Sequence, residues 1–410
     1  MPTTALSGLR VLDLTTVVMG PYATVVLADL GADVIKIETT TGDRHRFAGA
    51  SRHAGMSAPA MNLHRNKRSL AVDLSTPDGR EIFDGLVSTA DLVVTNLRPR
   101  SRRKLGLDHG RLAAINPRIV LVTAQGWASD SADGDRPAYD DIIQAASGTA
   151  QLSAPVLGGP RYAPYAVADK VVGLHICIAA LAAIVHQRRT GRGQHVDVPM
   201  VDSMISFNLV EHFGGHTFSP PEAPFGWARI LEAERQPQRT ADGWVCIMPY
   251  SDANWRDLFA FAGMTQFAND PAFTDINHRN ANMGKLMLAL RAETPKRTTA
   301  EWLRLCAEHG IPASSVLDLA DVQADDYVRN RDVLSRRDHP TEGAYWATRT
   351  PFEMSDTPVA FTRHAPRIGE HTAELLAEAG FTPARVAELA EAGVVRLAGP
   401  NPVDPVGQES

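Results

Sequence analysis

An α/β fold with a mostly parallel sheet, joined to a smaller α+β domain, is the fold class that the sequence predicts. Over residues 1–125, short β-branched runs alternate with helical stretches, a pattern typical of βαβ units around a parallel sheet. The length of 410 residues is more natural for two domains than for one, and 44% hydrophobic content can form a sizeable core. We therefore expect a Rossmann-like large domain and a second, smaller one.

The elements of the large domain follow from local signals. A helix over Pro21 to Leu30 is closed by Gly31, and Ser75 or Thr76 caps another helix that has Pro77 in its first position. Buried strands are predicted at Arg10 to Leu14, Asp33 to Ile37, Ser69 to Leu74, Asp91 to Thr95, and Arg118 to Ala124.

After this sheet the pattern changes. Val171 to Arg188 carries almost no charge over four turns and predicts a largely buried helix, followed by a strand at His195 to Val198 and a helix at Asp202 to Phe213. A loop rich in proline and glycine at residues 214–227 indicates a crossing between domains. The smaller unit begins with a hairpin at Asp242-Gly243, and two helices near the C-terminus precede a polar, Pro-rich tail.

Composition excludes several classes of protein. The net charge of −6 gives no overall basic field of the kind that binds nucleic acid. Three widely spaced cysteines do not suggest a disulfide framework. The N-terminus has no basic, apolar leader, and no uninterrupted apolar stretch has membrane-spanning length. We expect a cytoplasmic protein that binds neither nucleic acid nor membrane.

Two local features bear on ligand binding. The turn Met19-Gly20-Pro21 and the acidic Glu38 imitate a nicotinamide dinucleotide site, but two of the three fingerprint glycines are missing. Two basic runs, residues 65–68 and 98–104, flank predicted strands and suggest a phosphorylated ligand. Solvated surface is the alternative for each run alone.

Short motifs along nearly the whole chain resemble the class III CoA-transferases (CaiB/BaiF-like), the group of formyl-CoA, carnitine-CoA and bile-acid CoA transferases. The weakest resemblance is at residues 214–340. The motifs, in chain order, are residues 6–14 (LSGLRVLDL), 20–23 (GPYA), 27–38 (LADLGADVIKIE), 66–69 (NKRS), 96–99 (NLRP), 136–140 (RPAYD), 190–198 (TGRGQHVDV) and 365–372 (APRIGEHT).

The resemblance implies a covalent mechanism. In similar enzymes the aspartate that matches Asp169 attacks an acyl-CoA thioester, and CoA is then carried as an aspartyl thioester to an acceptor acid. The helix start favours the ionised carboxylate, whereas burial opposes ionisation. An ordinary N-cap of the long apolar helix is the alternative role of Asp169.

Other site residues carry over from the same family. Val18 and Met19 match a turn that contacts the reacting carbonyl, where backbone amides could bind an oxyanion, and Tyr139 and Asp140 match a Tyr-acid pair near the reacting group. The positions that match CoA-binding residues are Val72, Leu74, Asn96, Leu97, Arg98 and Lys104. Ordinary strand core is the alternative for Val72 and Leu74.

Departures from the family leave the substrate open. Thr39 and Pro137 stand where some relatives have arginine and lysine, and no glycine run at residues 245–265 offers the lid of the formyl-CoA enzymes. Formyl and oxalyl substrates are therefore disfavoured. The chain has Tyr139-Asp140 where the related α-methylacyl-CoA racemases have a His-Asp pair, which makes proton shuttling the weaker alternative. A CoA-binding protein without catalysis is the remaining alternative.

The resemblance also implies the organisation of the chain. We expect a large CoA-binding domain from residues 1–213 and 330–400, a small domain at 225–325 inserted between them, and a flexible tail at 401–410. We expect an interlocked, ring-like homodimer with an acyl-CoA and a carboxylic acid as substrates, no permanently bound cofactor and no metal. Candidates for shaping the acid pocket are Trp227, Arg235, Arg239 and Tyr250.

Overall fold

The computed structural model of this protein describes residues 4–273 and 275–399, so the predicted tail at 401–410 lies outside the described residues. The chain divides into two compact units. The large unit consists of the described parts of Met1–Ser147, Pro164–Ile205 and Asn330–Ser410, and the small unit of Gly148–Ala163 and Ser206–Arg329.

The strands within the described residues are numbered in chain order. They are β1 Arg10–Leu14, β2 Asp33–Glu38, β3 Lys67–Val72, β4 Leu92–Thr95, β5 Val120–Thr123, β6 His195–Asp197, β7 Gln238–Arg239, β8 Trp244–Ile247, β9 Ala313–Ser315, β10 Leu334–His339, β11 Gly343–Thr348 and β12 Val395–Arg396.

The α-helices of the same residues are numbered likewise. They are α1 Met19–Asp29, α2 Ala58–Leu63, α3 Pro77–Val87, α4 Pro99–Leu105, α5 His109–Ile115, α6 Asp140–Ala146, α7 Ala154–Leu157, α8 Val167–Thr190, α9 Met200–His212, α10 Asp252–Phe261, α11 Ile276–Ala281, α12 Met283–Glu293, α13 Thr299–Glu308, α14 Asp326–Asn330, α15 Thr372–Glu378 and α16 Pro383–Glu391.

The large sheet has the strand order β12-β3-β2-β1-β4-β5-β6. Its strands pair in parallel, except that β12 is antiparallel to β3. The predicted mostly parallel sheet is thereby confirmed. The chain proceeds outward from β1 to β3 and then restarts on the other side of β1 at β4. Ligands of open α/β sheets bind outside the carboxyl ends of the strands at such a reversal.

Each face of the large sheet is covered by helices. One core includes Val11, Val34 and Val122 of the sheet with apolar residues of α1 and α8. The other includes Leu12, Ile35 and residues of α3, α15 and α16. Successive strand residues point to opposite faces, so strands buried on both sides read as the continuous apolar runs seen in the sequence.

The small unit contains the antiparallel sheet β7-β8-β9 and a separate core. β7 pairs with β8 through Arg239 and Trp244, and the Thr240 amide donates to the Gly243 carbonyl at 3.0 Å, which confirms the predicted hairpin. Helices α10, α12 and α13 bury Trp255, Leu286 and Trp302 in this core.

The long helix α8 is less buried than the sequence predicts. Ile176 and Ala180 are fully buried, but Ile178 is 64% exposed and Val185 is 56% exposed. Contrary to expectation, α8 is long and apolar enough to cross a membrane by length and composition alone, a test that core helices also pass. Its extensive contacts with α1 and its packing on β5 favour a core helix with one uncovered apolar side.

Candidate active site

A cavity with a volume of about 710 Å³ lies at the carboxyl ends of the first four strands of the large sheet. Its wall includes Leu14, Glu38, Val72 and Asn96, which end or directly follow β1, β2, β3 and β4. This is the position at which strand order reverses, so the topology and the cavity locate the same ligand-binding edge.

Asp169 lies in the wall of this cavity but does not cap α8. The N-cap is Ala166, and Asp169 is the third helical residue. Its backbone amide donates to Asp140 Oδ1 at 2.9 Å. The side chain of the first residue of α6 therefore caps the start of α8. The N-cap alternative for Asp169 is therefore wrong, and its carboxylate is not used to begin the helix.

The protonation of Asp169 is set mainly by burial. Desolvation, together with the negative charge of Asp140 as the smaller cause, raises the pKa of Asp169 to about 7. The shift from the ordinary value of 3.8 makes ionisation about 4 kcal/mol less favourable. Of the two opposing influences expected from the sequence, desolvation outweighs the positive end of the helix.

The turn before α1 lies against the start of α8. A Cβ on Gly173 would lie 2.8 Å from the Met19 carbonyl oxygen, so only glycine allows this approach without movement. Gly173 is one turn after Asp169 and shares its face of α8. The close contact therefore holds the Val18–Met19 turn against the first turns of α8, and Val18, Met19 and Asp169 all line the cavity.

Within this turn Val17 has a φ of 70°. This left-handed conformation is uncommon for residues other than glycine and is unusual for a β-branched side chain. It costs on the order of 1–3 kcal/mol, so surrounding contacts must hold it. The sequence gives no signal for a strained valine at this position.

The structure brings most of the predicted site residues into one cavity. Asn96, Leu97 and Arg98 follow β4, and the Asn96 side chain binds both the amide and the carbonyl of Thr16. The lining contains Val18, Met19, Val72, Leu74, Asn96, Leu97, Arg98, Tyr139 and Asp169. Asp140 lies behind Asp169 and is not part of the lining, and Lys104 is exposed on α4 outside it.

The basic run at residues 65–68 is not a ligand site. Lys67 is buried and lies 3.0 Å from Asp13, Arg65 binds Asp29 at 2.7 Å, and Arg68 binds acidic residues including Asp33. These residues are at the amino end of β3, opposite the cavity. The prediction of a phosphate-binding role is wrong here because each of the three cations is paired with carboxylates of the same unit.

Two cations in the cavity wall, Arg44 and Arg136, are not among the predicted site residues. Arg44 is exposed on the loop after β2, and the Arg136 guanidinium stacks 4.3 Å from the Trp127 ring centre. Arg136 belongs to the motif at residues 136–140, so a signal for it was present. Thr39 and Pro137, the two departures from the family, also line the cavity.

Comparison with known proteins places this geometry in one family. The model of CoA-transferase family III matches residues 6–372. The chain is 31% identical to succinate–glutarate CoA-transferase of Agrobacterium fabrum, with 91% of this chain and 95% of the relative covered. It is 32% identical to succinyl-CoA:mesaconate CoA-transferase of Haloarcula hispanica, with 92% and 96% covered.

A solved structure agrees with these sequence relatives. The crystal structure of a CaiB/BaiF family protein from Brucella suis superposes with a TM-score of 0.80 at 31% identity, covering 92% of this chain and 99% of that one. The resemblance read from the short motifs is confirmed. The chain belongs to CoA-transferase family III and is a CoA-transferase.

Proposed function

We propose that Asp169 is the nucleophile that carries CoA from an acyl-CoA to a carboxylic acid. The observation that supports this assignment is its carboxylate in the cavity wall, partly buried, free of a capping role and beside the Val18–Met19 turn. Such a carboxylate is poorly solvated and therefore more reactive when ionised. CoA transfer requires a group that holds the activated acid while the donor and acceptor exchange.

The proposed reaction proceeds in steps that balance. The Asp169 carboxylate attacks the thioester carbonyl, the C–S bond breaks, and CoA leaves as a thiolate, giving an acyl-aspartyl anhydride. The thiolate then attacks the aspartyl carbonyl, which releases the donor carboxylate and forms an aspartyl-CoA thioester. The acceptor carboxylate repeats these steps in reverse and restores Asp169. No net proton is taken up or released.

Backbone amides are the proposed stabilisers of the tetrahedral intermediates. Val18 and Met19 stand at the start of α1, where helical amides lack partners within the helix and the helix dipole is positive. Developing negative charge on the carbonyl oxygen would be bound by these groups. Tyr139 is the proposed neighbour of the acyl group, and Asp140 orients the start of α8 and tunes Asp169.

Coenzyme A is the proposed occupant of the rest of the cavity. Val72 and Leu74 are apolar neighbours for the adenosine, while Asn96, Leu97 and Arg98 are at the end of β4. Lys104 and other cations of α4 are proposed to contact phosphate from the cavity rim, since a lysine ammonium binds phosphate as a point charge.

Short dicarboxylic acids are the proposed donors and acceptors. The two relatives described above are named for succinate, glutarate and mesaconate. Arg44 and Arg136 in the cavity wall supply cations for a distal carboxylate. The absence of the glycine run expected for a formyl-CoA lid disfavours formyl and oxalyl groups. Trp227, Arg235, Arg239 and Tyr250 in the small unit remain candidates for acid selectivity.

We further propose the cytoplasmic homodimer expected from the sequence, with the domain boundaries and the interlocked ring given there. The uncovered apolar side of α8 supports a second chain as its cover, because exposed apolar patches often mark protein interfaces. Within the described residues no group of His, Cys, Asp or Glu has the arrangement of a metal site.

The test uses the purified enzyme with succinyl-CoA and a panel of mono- and dicarboxylic acids, with separation of the CoA esters. Asp169→Ala should abolish transfer. The control is Asp141→Asn, which changes an exposed carboxylate of α6 next to Asp140 and should retain wild-type activity. Intact mass after incubation with succinyl-CoA should show a CoA thioester on the wild type and none on Asp169→Ala. Full transfer by Asp169→Ala would disprove the assignment, and loss of configuration of a chiral 2-methylacyl-CoA without transfer would favour a racemase.

A further inference from the structure

The turn between β1 and α1 is fixed through its backbone by side chains from other elements. The Thr15 amide donates to Asp13 Oδ1 at 3.0 Å. The Thr16 amide donates to Asn96 Oδ1 at 2.9 Å, and Asn96 Nδ2 donates to the Thr16 carbonyl at 2.8 Å. Consecutive peptide groups that lead to Val18 are therefore held in place.

Val17 is the strained member of this turn, and its amide is bound by a carboxylate. The Val17 amide donates to Asp43 Oδ2 at 3.1 Å and to Asp43 Oδ1 at 3.3 Å. A charged acceptor makes a stronger hydrogen bond than a neutral one. The bond acts on the residue whose φ of 70° has to be maintained.

Asp43 is itself rigidly held. Its side chain is fully buried and lies 3.4 Å from the Lys36 ammonium, which also donates to the Thr15 carbonyl. Asp43 Oδ1 accepts from the His45 amide at 3.0 Å, and the Asp43 amide donates to Glu38 Oε2 at 3.0 Å. One buried ion pair thus binds the turn on two sides.

We propose that Asp43 is a positioning residue for CoA transfer. Its carboxylate keeps the backbone of Val17 in the left-handed conformation and thereby sets the direction of the amides of Val18 and Met19. The inference rests on the proposed role of these amides as oxyanion donors. A valine released from Asp43 would relax to a negative φ, because this region is favoured for β-branched residues. Relaxation rotates the peptide between residues 17 and 18, and the oxyanion donors move with it.

The first test measures kcat and KM for Asp43→Ala and Asp43→Asn. Loss of an oxyanion donor costs roughly 100- to 1,000-fold in kcat, so an indirect loss of about 10- to 100-fold is expected for the alanine variant. Asparagine keeps one acceptor oxygen and should restore part of kcat. The KM for acyl-CoA should change much less than kcat.

The matched control is Asp29→Asn, which weakens another buried carboxylate pair, with Arg65, away from the cavity. It should reduce thermal stability without the fall in kcat. If Asp43→Ala does not fold, kcat of Asp43→Asn is compared with kcat of Asp29→Asn instead. An Asp43 variant that keeps wild-type kcat although Val17 has relaxed to a negative φ in its crystal structure would overturn the proposal, and so would a variant that loses kcat although Val17 is unchanged.

A double-mutant cycle separates positioning from general damage. Glycine adopts positive φ without strain, so Val17→Gly needs less support from Asp43. The factor by which kcat falls when Asp43 is changed should therefore be smaller in the Val17→Gly background than in the wild type. Equal factors in the two backgrounds would contradict a positioning role. Asp169→Ala is assayed in parallel: if it stays active, the proposed nucleophile fails, whereas the crystal structures of the Asp43 variants still report the turn.

Discussion

The pH dependence of CoA transfer follows from the ionisation of Asp169. Burial raises its pKa to about 7, with Asp140 as the second cause, and only the ionised carboxylate attacks a thioester. With this value about 9% of the free enzyme is ionised at pH 6 and about 91% at pH 8. We expect kcat/KM for succinyl-CoA to rise roughly tenfold between these pH values, because kcat/KM reports the pKa of the free enzyme.

Changing Asp140 tests the electrostatic part of this reasoning. Asp140→Asn keeps an oxygen for the Asp169 amide, at 2.9 Å in the wild type, but removes the negative charge. The acidic limb of the pH profile should therefore move to lower pH. The pKa that it reports should still lie above the ordinary value for aspartate, because burial is the larger cause of the shift. Asp141→Asn is the control for a nearby exposed charge and should leave the limb unmoved.

The measurement is kcat/KM for succinyl-CoA between pH 5 and 9, at constant ionic strength, with stability monitored at each pH. If Asp169→Ala is inactive but the wild-type profile is flat between pH 6 and 8, the reacting carboxylate does not have the raised pKa and the reasoning is refuted. A limb that moves to higher pH in Asp140→Asn would refute the assigned role of the Asp140 charge.

Three further variants test stability and packing. Folding raises the pKa of Asp169 from 3.8 to about 7, so the folded protein loses stability relative to the unfolded chain as the pH rises between these two values. Asp169→Asn removes this loss. It should raise the free energy of unfolding by roughly 2 kcal/mol at pH 5 and by up to about 4 kcal/mol at pH 8. Lys67→Met leaves the fully buried Asp13 without its cation and should cost about 3–5 kcal/mol by urea unfolding. Gly173→Ala forces α8 from the Met19 carbonyl and should cost about 1–3 kcal/mol and lower kcat.

The Gly173 and Lys67 variants each have a control elsewhere in the large unit. Gly85 lies on the exposed side of α3, where a Cβ would meet nothing within 4 Å, so Gly85→Ala should be neutral or stabilising. The Arg103–Asp135 pair is exposed, and Arg103→Met should change stability by less than about 1 kcal/mol. Equal effects in a variant and its control would contradict the packing or burial argument. An Asp169→Asn effect that does not grow with pH would contradict the raised pKa.

The regular part of the large unit was predictable from sequence because its signals are local. The strand at residues 10–14 has the bounds that its β-branched run predicts, and Thr76 caps α3 ahead of Pro77 as expected. The third strand begins at Lys67 rather than Ser69, because buried charged residues interrupt the apolar pattern there. Apolar periodicity alone could not predict a lysine inside a strand core.

The electrostatics of the site depended on contacts that no local pattern reports. The Asp140 cap of α8 joins residues 29 positions apart, and the bond from Val17 to Asp43 joins residues 26 apart. The sequence put Asp169 at the start of an apolar helix predicted from Val171, whereas α8 begins at Val167 and Asp169 lies in its first turn. Local patterns could not distinguish an N-cap carboxylate from one inside the helix. The exposed apolar side of α8 could not be predicted from sequence either. An apolar helix has the same composition whether it packs against its own chain or against another chain.

The two basic runs show what strand direction adds to a sequence pattern. Residues 65–68 precede β3, so in a parallel sheet they must lie at its amino end, whereas Arg98 follows β4 and lies at the carboxyl end with the cavity. Ligands bind at the carboxyl ends, so direction alone favours Arg98 for binding CoA. The acidic partners of the first run, Asp13, Asp29 and Asp33, lie in the first strands and helix of the same unit. The basic run at the amino end therefore pairs with carboxylates of its own unit, whereas only the run beyond the carboxyl end of β4 has a residue, Arg98, in the cavity wall.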